Sequence, residues 1–375
     1  RNDETIWPIP LLTEGLRSKT ITKRSQNVPL SGKTAPLKLN VGQTGFYRVN
    51  YSHEMQQAQI NALDNNEFEA IDRMGLLSDS LEATKAGFQP VTEYLGLLSH
   101  YKHESSLTVW EIILSSIGSI KNVLSKHDED ETLRELIKPF VIELVQEQAD
   151  RLGWYEYKNE PHLDTLLRPL ILGAAAASDE PQTLSEVYKR YNDKITHKKL
   201  INPDLRGIIY STVARKGDTK EFEALLNMYK TSSSSDEKLS LTAALTSFKQ
   251  PALHIRVLEL TKTDVIRNQD ITYWIAYSFM NRYSRNTTWQ WLQDNWEWLR
   301  KVIGTDLGFS RMPIYAARNF ASEDLLEEYK AFFTKNLEPM LERTYHQGLE
   351  MIETNVDWRK RDANSIVTWF KSQST

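Results

Sequence analysis

In the stretch Leu39-Asn40-Val41-Gly42-Gln43-Thr44-Gly45-Phe46-Tyr47-Arg48-Val49-Asn50-Tyr51 the hydrophobic rhythm of the chain changes. The two glycines of Gly42-Gln43-Thr44-Gly45 permit the positive dihedral angles of a tight connection. Leu37 to Asn40 and Phe46 to Tyr51 are therefore expected to pair as a hairpin, with Phe46, Arg48 and Asn50 on one face. Upstream, Thr5 to Leu12 and Lys19 to Lys23 have the same short β-type character between Pro and Gly, so residues 1–52 are expected to be part of a small β-sandwich.

After Tyr51 the period lengthens from two to between three and four and stays there to the C-terminus. Residues 53–375 are expected to be α-helical, with polar breaks at Gly87-Phe88-Gln89-Pro90, Ser178-Asp179-Glu180-Pro181, Asn202-Pro203-Asp204 and Lys216-Gly217-Asp218. Asp218 followed by Glu221 has the pattern of a capping box, in which each side chain satisfies an orphan helix donor. Thr231 to Ser235, followed by Asp236-Glu237, reads as a connection and a new helix start. Helix pairs recurring at roughly 30–45 residues without strict repetition suggest a mainly α, HEAT- or armadillo-like solenoid, curved into a bowl that binds extended ligands.

Composition narrows the function. The chain has 375 residues, 40% of them apolar, with 10 Trp, 16 Tyr and 12 Phe, as expected of a folded protein with a substantial core. A formal net charge of -4 offers no general field for phosphates, so no nucleic-acid partner is expected. With no Cys there is neither a disulfide framework nor a thiolate nucleophile, which fits a reducing, cytoplasmic location. The apolar stretch Leu170 to Ala177 is far shorter than the roughly 20 residues that span a bilayer, and no membrane segment is expected. Arg1-Asn2-Asp3-Glu4 leads straight into Trp7-Pro8-Ile9-Pro10 without a signal-peptide plan, as if the sequence began inside a larger protein.

No catalytic constellation emerges. His53-Glu54-Met55-Gln56-Gln57 approaches the zinc-protease motif, but Gln57 stands where the second His must face the metal. His100 and His103 share a helix face ahead of Glu104, a spacing that reads as solvated histidines. Neither a phosphate-binding glycine loop nor a nucleophile elbow is present. Trp289, Trp291, Trp296 and Trp298 invite comparison with a stacking platform, yet Trp289 and Trp296 share a stripe with Leu292 and Leu299, as in helix packing. Beside them Arg282 and Arg285 open a helix and Arg311 follows Gly308-Phe309-Ser310. An arginine there can clamp a peptide's terminal carboxylate through two parallel hydrogen bonds, which makes Arg285 and Arg311 the candidate substrate-binding residues.

The segment Asn40 to Tyr51 resembles the N-x-G-Q-x-G-F-Y-R-V-x-Y pattern of zinc aminopeptidases. Asp72-Arg73-Met74-Gly75-Leu76-Leu77-Ser78-Asp79 resembles that family's D-R-x-G-L-L-x-D helix, and Val109-Trp110-Glu111 its following V-W-E helix. Asn295-Trp296 after Trp289, then Glu342-Arg343-Thr344, Asn355 and Trp358 to Asp362, are similar to its later segments, so the resemblance covers nearly the whole chain. The puromycin-sensitive and alanyl branch, with the cytosolic alanine/arginine aminopeptidases of fungi, is the most similar, judged from Trp358 to Ala363 and Phe309-Ser310-Arg311. Ser284-Arg285 departs from the family's Gly-Arg, which touches only the turn geometry there.

The resemblance implies a C-terminal helical cover domain over residues 53–375, preceded by part of the family's β-sandwich. It also implies a parent that uses zinc to remove N-terminal residues from peptides. The zinc motif and its catalytic residues belong upstream, so this part is expected to hold no cofactor and to be inactive alone. Its implied partners are a peptide substrate and the zinc domain of the same longer chain. The rival reading is a stand-alone helical-repeat scaffold that binds another protein through its concave face.

Overall fold

A computed structural model describes residues 5–13, 16, 20–29, 37–124 and 132–373. The chain is mainly helical and packs as two compact units, residues 1–119 and 120–375. The change of element type falls at Ser52, whose side chain accepts from the Met55 amide as N-cap of the helix His53–Asp64.

The β component is smaller than expected. Among the described residues, Ile9–Pro10 and Thr20–Ile21 form one two-stranded antiparallel sheet, with Ile9 opposite Ile21. The hairpin across Gly42-Gln43-Thr44-Gly45 does not form. Asn40 (φ 54°) instead leads into the short 3-10 turn Val41–Gln43, where Gly42 (φ 71°) and Gln43 (φ 53°) are left-handed. Side chains replace the missing ladder. Asn40 Oδ1 accepts from the Gly45 amide at 2.8 Å, and its Nδ2 donates to the carbonyls of Gly45 and Tyr47 at 3.1 and 3.3 Å. The expected alternation survives without a partner strand, because Phe46, Arg48 and Asn50 are exposed while Tyr47 and Val49 are partly covered.

The helix Ala70–Lys85 holds this loop from below. Asp72, Gly75 and Asp79, three and then four residues apart, share a face. Asp72 accepts from the Gly42 amide at 2.9 Å and pairs with the buried Lys38 ammonium at 3.5 Å. Asp79 accepts from the Val49 amide at 3.1 Å and from Arg48 at 3.3 Å. Between them, a Cβ on Gly75 would collide with the Gln43 side chain, so the glycine admits the loop. Arg73 points elsewhere: its Nε and Nη2 meet the two Glu104 oxygens at 2.7 and 2.8 Å, and the Glu104 carbonyl accepts from Trp110 Nε1 at 2.8 Å. The three aminopeptidase-like motifs of this unit are thus one set of mutual contacts.

The helix Leu107–Leu124 is long and apolar enough, by length and composition, to cross a bilayer, a longer run than Leu170 to Ala177. Half of it is buried, and Val109, Trp110, Ile113 and Ile120 are fully covered, so its apolarity is used in packing.

In residues 120–375 successive helices stack. His162–Ala177 packs on Pro203–Lys216, that on Ser235–Leu245, that on Ile271–Met280, that on Met312–Ala317, and the last on the long Pro339–Gln373. The alternate helices Pro181–His197, Thr219–Thr231 and Pro251–Leu260 lie between them in sequence. Pro181, Pro203 and Pro251 each open a helix, where a missing N–H costs nothing. The capping box of Asp218 and Glu221 forms as expected, and Ser234 caps the helix after the 231–235 connection.

The tryptophan stripe is core, but not on one helix. Asn295 divides it into Arg285–Asp294 and Trp296–Ile303, its side chain donating to the Trp291 carbonyl at 2.7 Å. Trp289 meets Phe320, Tyr329, Phe332 and Phe333, and Trp296 meets Phe309, Phe332 and Phe333, with ring centroids 4.8–6.3 Å apart.

Candidate functional site

The histidines singled out by sequence are engaged elsewhere. His53 Nδ1 lies 3.1 Å from Glu93 Oε1, and His100 Nδ1 lies 2.9 Å from Asp64 Oδ1, both near the surface. Among the described residues no group of three or more His, Asp or Glu stands together to hold a metal ion, so the residues here do not fit zinc.

The two candidate arginines are not brought together. Arg285 is buried, and its guanidinium donates to the carbonyls of Asn319 at 2.9 Å and Phe279 at 3.4 Å. It ties the start of its helix to backbone 34 residues away. Arg311 is exposed between the short helices Leu307–Ser310 and Met312–Ala317. Arg285→Gln is expected to cost about 1–3 kcal/mol of stability by stranding buried carbonyls, against about 0.5 kcal/mol or less for Arg311→Ala. Urea unfolding of the two variants checks the contrast, and equal losses would contradict it.

The sequence reading missed a cleft of about 390 Å³ in the unit 120–375. It is built from helix ends. Lys121 comes from the last turn of Leu107–Leu124, Arg134 and Lys138 from the region opening Lys138–Leu152, and Arg215 and Lys216 from the end of Pro203–Lys216. Lys249 and Arg282 complete seven basic residues, against Glu135 and Asp179 as the acidic ones among the described lining. Lys121, Arg215 and Lys216 stand in last turns, where a basic residue complements the helix dipole, whereas Lys138 opens its helix.

Asp179 organises three of them. It occupies the left-handed position (φ 62°) of the break after His162–Ala177. Its Oδ2 accepts from Lys138 Nζ at 2.7 Å and Lys216 Nζ at 2.8 Å, and Oδ1 lies 3.8 Å from Arg215. Burial opposes its charge, but the bonds from Lys138 and Lys216 outweigh it and hold its pKa below the usual value. Arg215 also donates to the Ala176 carbonyl at 2.6 Å.

On the opposite wall, Asn281 Nδ2 donates to the carbonyls of Thr246 and Phe248 at 2.8 and 2.7 Å, and its Oδ1 accepts from the Tyr283 amide at 3.0 Å. The turn so fixed places the Tyr283 ring between Lys249 Nζ, 5.0 Å from the centroid, and the Arg282 guanidinium, 4.6 Å away. Lys121 is pushed down to about 8, by burial first and then by repulsion from Arg134, Arg215 and Lys138. A cleft that crowds like charges around a buried amine gains most from an entering anion. No local motif announces it, because its residues span 121 to 283.

The chain belongs to the ERAP1-like C-terminal domain family, which matches residues 36–354. It is 32% identical over 334 residues to aminopeptidase M1 of Arabidopsis thaliana, covering 88% of this chain and 38% of that protein. It is 27% identical over 377 residues to aminopeptidase 2 of Candida albicans (99% and 41%). To the mitochondrial aminopeptidase 2 of Saccharomyces cerevisiae it is 27% identical over 381 residues (98% and 39%). The chain spans about two-fifths of the length of these relatives.

Proposed function

We propose that this chain is the non-catalytic C-terminal part of a zinc-dependent aminopeptidase, and that it encloses the active site and holds the distal end of the peptide. The observation that carries the peptide-binding role is the basic cleft at the helix ends. Relatives whose names describe aminopeptidases support the parent activity. Residues 1–52 would complete a β-sandwich begun upstream, and residues 53–375 would be a solenoid bowl of the HEAT type. In support, the stacked helices open at 162, 203, 235, 271 and 312, steps that lie within the roughly 20–50-residue periods of solenoids. Zinc and the residues that hold it belong upstream of this chain, and a cytoplasmic site fits a sequence without Cys. Nothing observed favours the stand-alone scaffold.

In this reading a peptide's terminal carboxylate enters among Lys121, Arg134, Arg215 and Lys249. Arg311, exposed, is a proposed outer contact for longer peptides, whereas Arg285 acts through the backbone it ties. N-acetylated peptides with a free carboxylate are expected to bind about tenfold more tightly than their C-terminal amides, by fluorescence anisotropy.

The affinity should fall as pH rises from 7 to 9. Lys121, at about 8, is mostly charged below that value and mostly neutral above it, so its share of the attraction is present at pH 7 and mostly lost at pH 9, while the arginines keep theirs. Acetylation removes the peptide's own amine, which titrates in the same range. Lys121→Met should bind more weakly and lose the pH dependence. Equal binding of acid and amide would overturn the assignment.

A further inference from the structure

The basic cleft carries more charge than one carboxylate answers. Its described lining sets seven basic residues against Glu135 and Asp179, so a single anionic group leaves most of the positive excess in place. Like charges gathered where water is scarce repel one another, and each further anion admitted relieves that repulsion. Burial already presses on two of the arginines. Arg282 is 5% exposed, and Arg215 is held below the usual arginine range by desolvation.

The excess is uneven. Glu135 and Asp179 both meet the Lys138 ammonium, and Asp179 also meets Lys216, so an entering anion is opposed on that side. The opposite wall is the turn at 281–283, where Lys249 and Arg282 stand at one ring, 5.0 and 4.6 Å from the Tyr283 centroid. Asn281 pins that turn to the carbonyls of Thr246 and Phe248, so the Arg282 guanidinium is presented from a set position.

We propose that the cleft selects peptides whose last residue is itself acidic, with the terminal carboxylate among Lys121, Arg134, Arg215 and Lys249 and the side-chain carboxylate on Arg282. A guanidinium donates two parallel hydrogen bonds to a carboxylate, and in a water-poor site such a bond is stronger than in the open. The two carboxylate carbons of a C-terminal glutamate are four single bonds apart, roughly 5 Å when extended, so one residue serves both Lys249 and Arg282 at their shared ring. The inference rests on the peptide-end reading above and names the substrate class of that site.

The test uses the 375-residue chain and three labelled, N-acetylated nonapeptides with free carboxylates, followed by anisotropy. One ends in Ala-Glu, one in Ala-Gln, and the third is an isomer of the first with its glutamate moved to the second position. The Ala-Glu peptide is expected to bind about tenfold more tightly than Ala-Gln, and the isomer within about twofold of Ala-Gln. Arg282→Gln should weaken Ala-Glu about tenfold and Ala-Gln about twofold or less, which erases the preference. Arg318→Gln removes an exposed cation elsewhere, changes the net charge equally and should preserve it. The peptide comparison on the unaltered chain needs no variant: equal binding of Ala-Glu and Ala-Gln, or of Ala-Glu and its isomer, overturns this proposal alone. So does a preference that survives in folded Arg282→Gln. Failure of every peptide with a free carboxylate to bind overturns the peptide-end reading and this proposal with it.

Discussion

Trp289→Ala is expected to lower the unfolding free energy by about 3–5 kcal/mol, measured as a lower urea midpoint at unchanged slope. The indole is 2% exposed and touches four aromatic rings from two later parts of the chain, so its removal leaves a cavity that those rings cannot close without abandoning one another. Its Nε1 also donates to Glu328 Oε2 at 2.9 Å, a bond that Trp289→Phe would lose while keeping most of the packing. The phenylalanine variant should therefore fall between the native chain and the alanine variant. A loss below about 1 kcal/mol for Trp289→Ala would mean that these rings do not form a core.

Arg168→Ala should be comparably severe, about 3–5 kcal/mol, for an electrostatic reason. Arg168 and Glu160 form an ion pair with both side chains 4% exposed, and the guanidinium also donates to the carbonyls of Leu152 and Gly153 at 3.2 Å and of Tyr155 at 3.3 Å. Removing the arginine strands a carboxylate away from water together with these carbonyls. Arg168→Ala/Glu160→Ala should recover part of the loss, because no unpaired charge is left behind. Additive losses in the double-mutant cycle would contradict a coupled pair.

Helix boundaries were the most legible part of the sequence, since the signals that set them are local. Asp218 and Glu221 cap the helix Thr219–Thr231, and Pro181 and Pro203 open theirs. The loop that replaces the expected hairpin was not legible, because what shapes residues 38–49 is distant: the amides of Gly42 and Val49 find carboxylates on the helix Ala70–Lys85 instead of a facing strand. Asn295 was equally misleading. The heptad spacing of Trp289 and Trp296 reads as one helix, whereas the asparagine side chain caps the Trp291 carbonyl and starts another. Arg285 was legible from its place at a helix start, and its guanidinium bonds backbone, while the basic residues of the cleft, Lys121, Arg215 and Lys249, are far apart in sequence and meet only through stacking.

The clamp of Asp72, Gly75 and Asp79 on the loop before it carries a timetable for synthesis. The bonds that fix Gly42 and Val49 each join residues 30 apart in sequence. A nascent chain must therefore add some thirty residues beyond the loop, and emerge far enough for them to coil, before the loop acquires its shape. Until then the segment from Gly42 to Val49 lacks the carboxylates that accept from its amides.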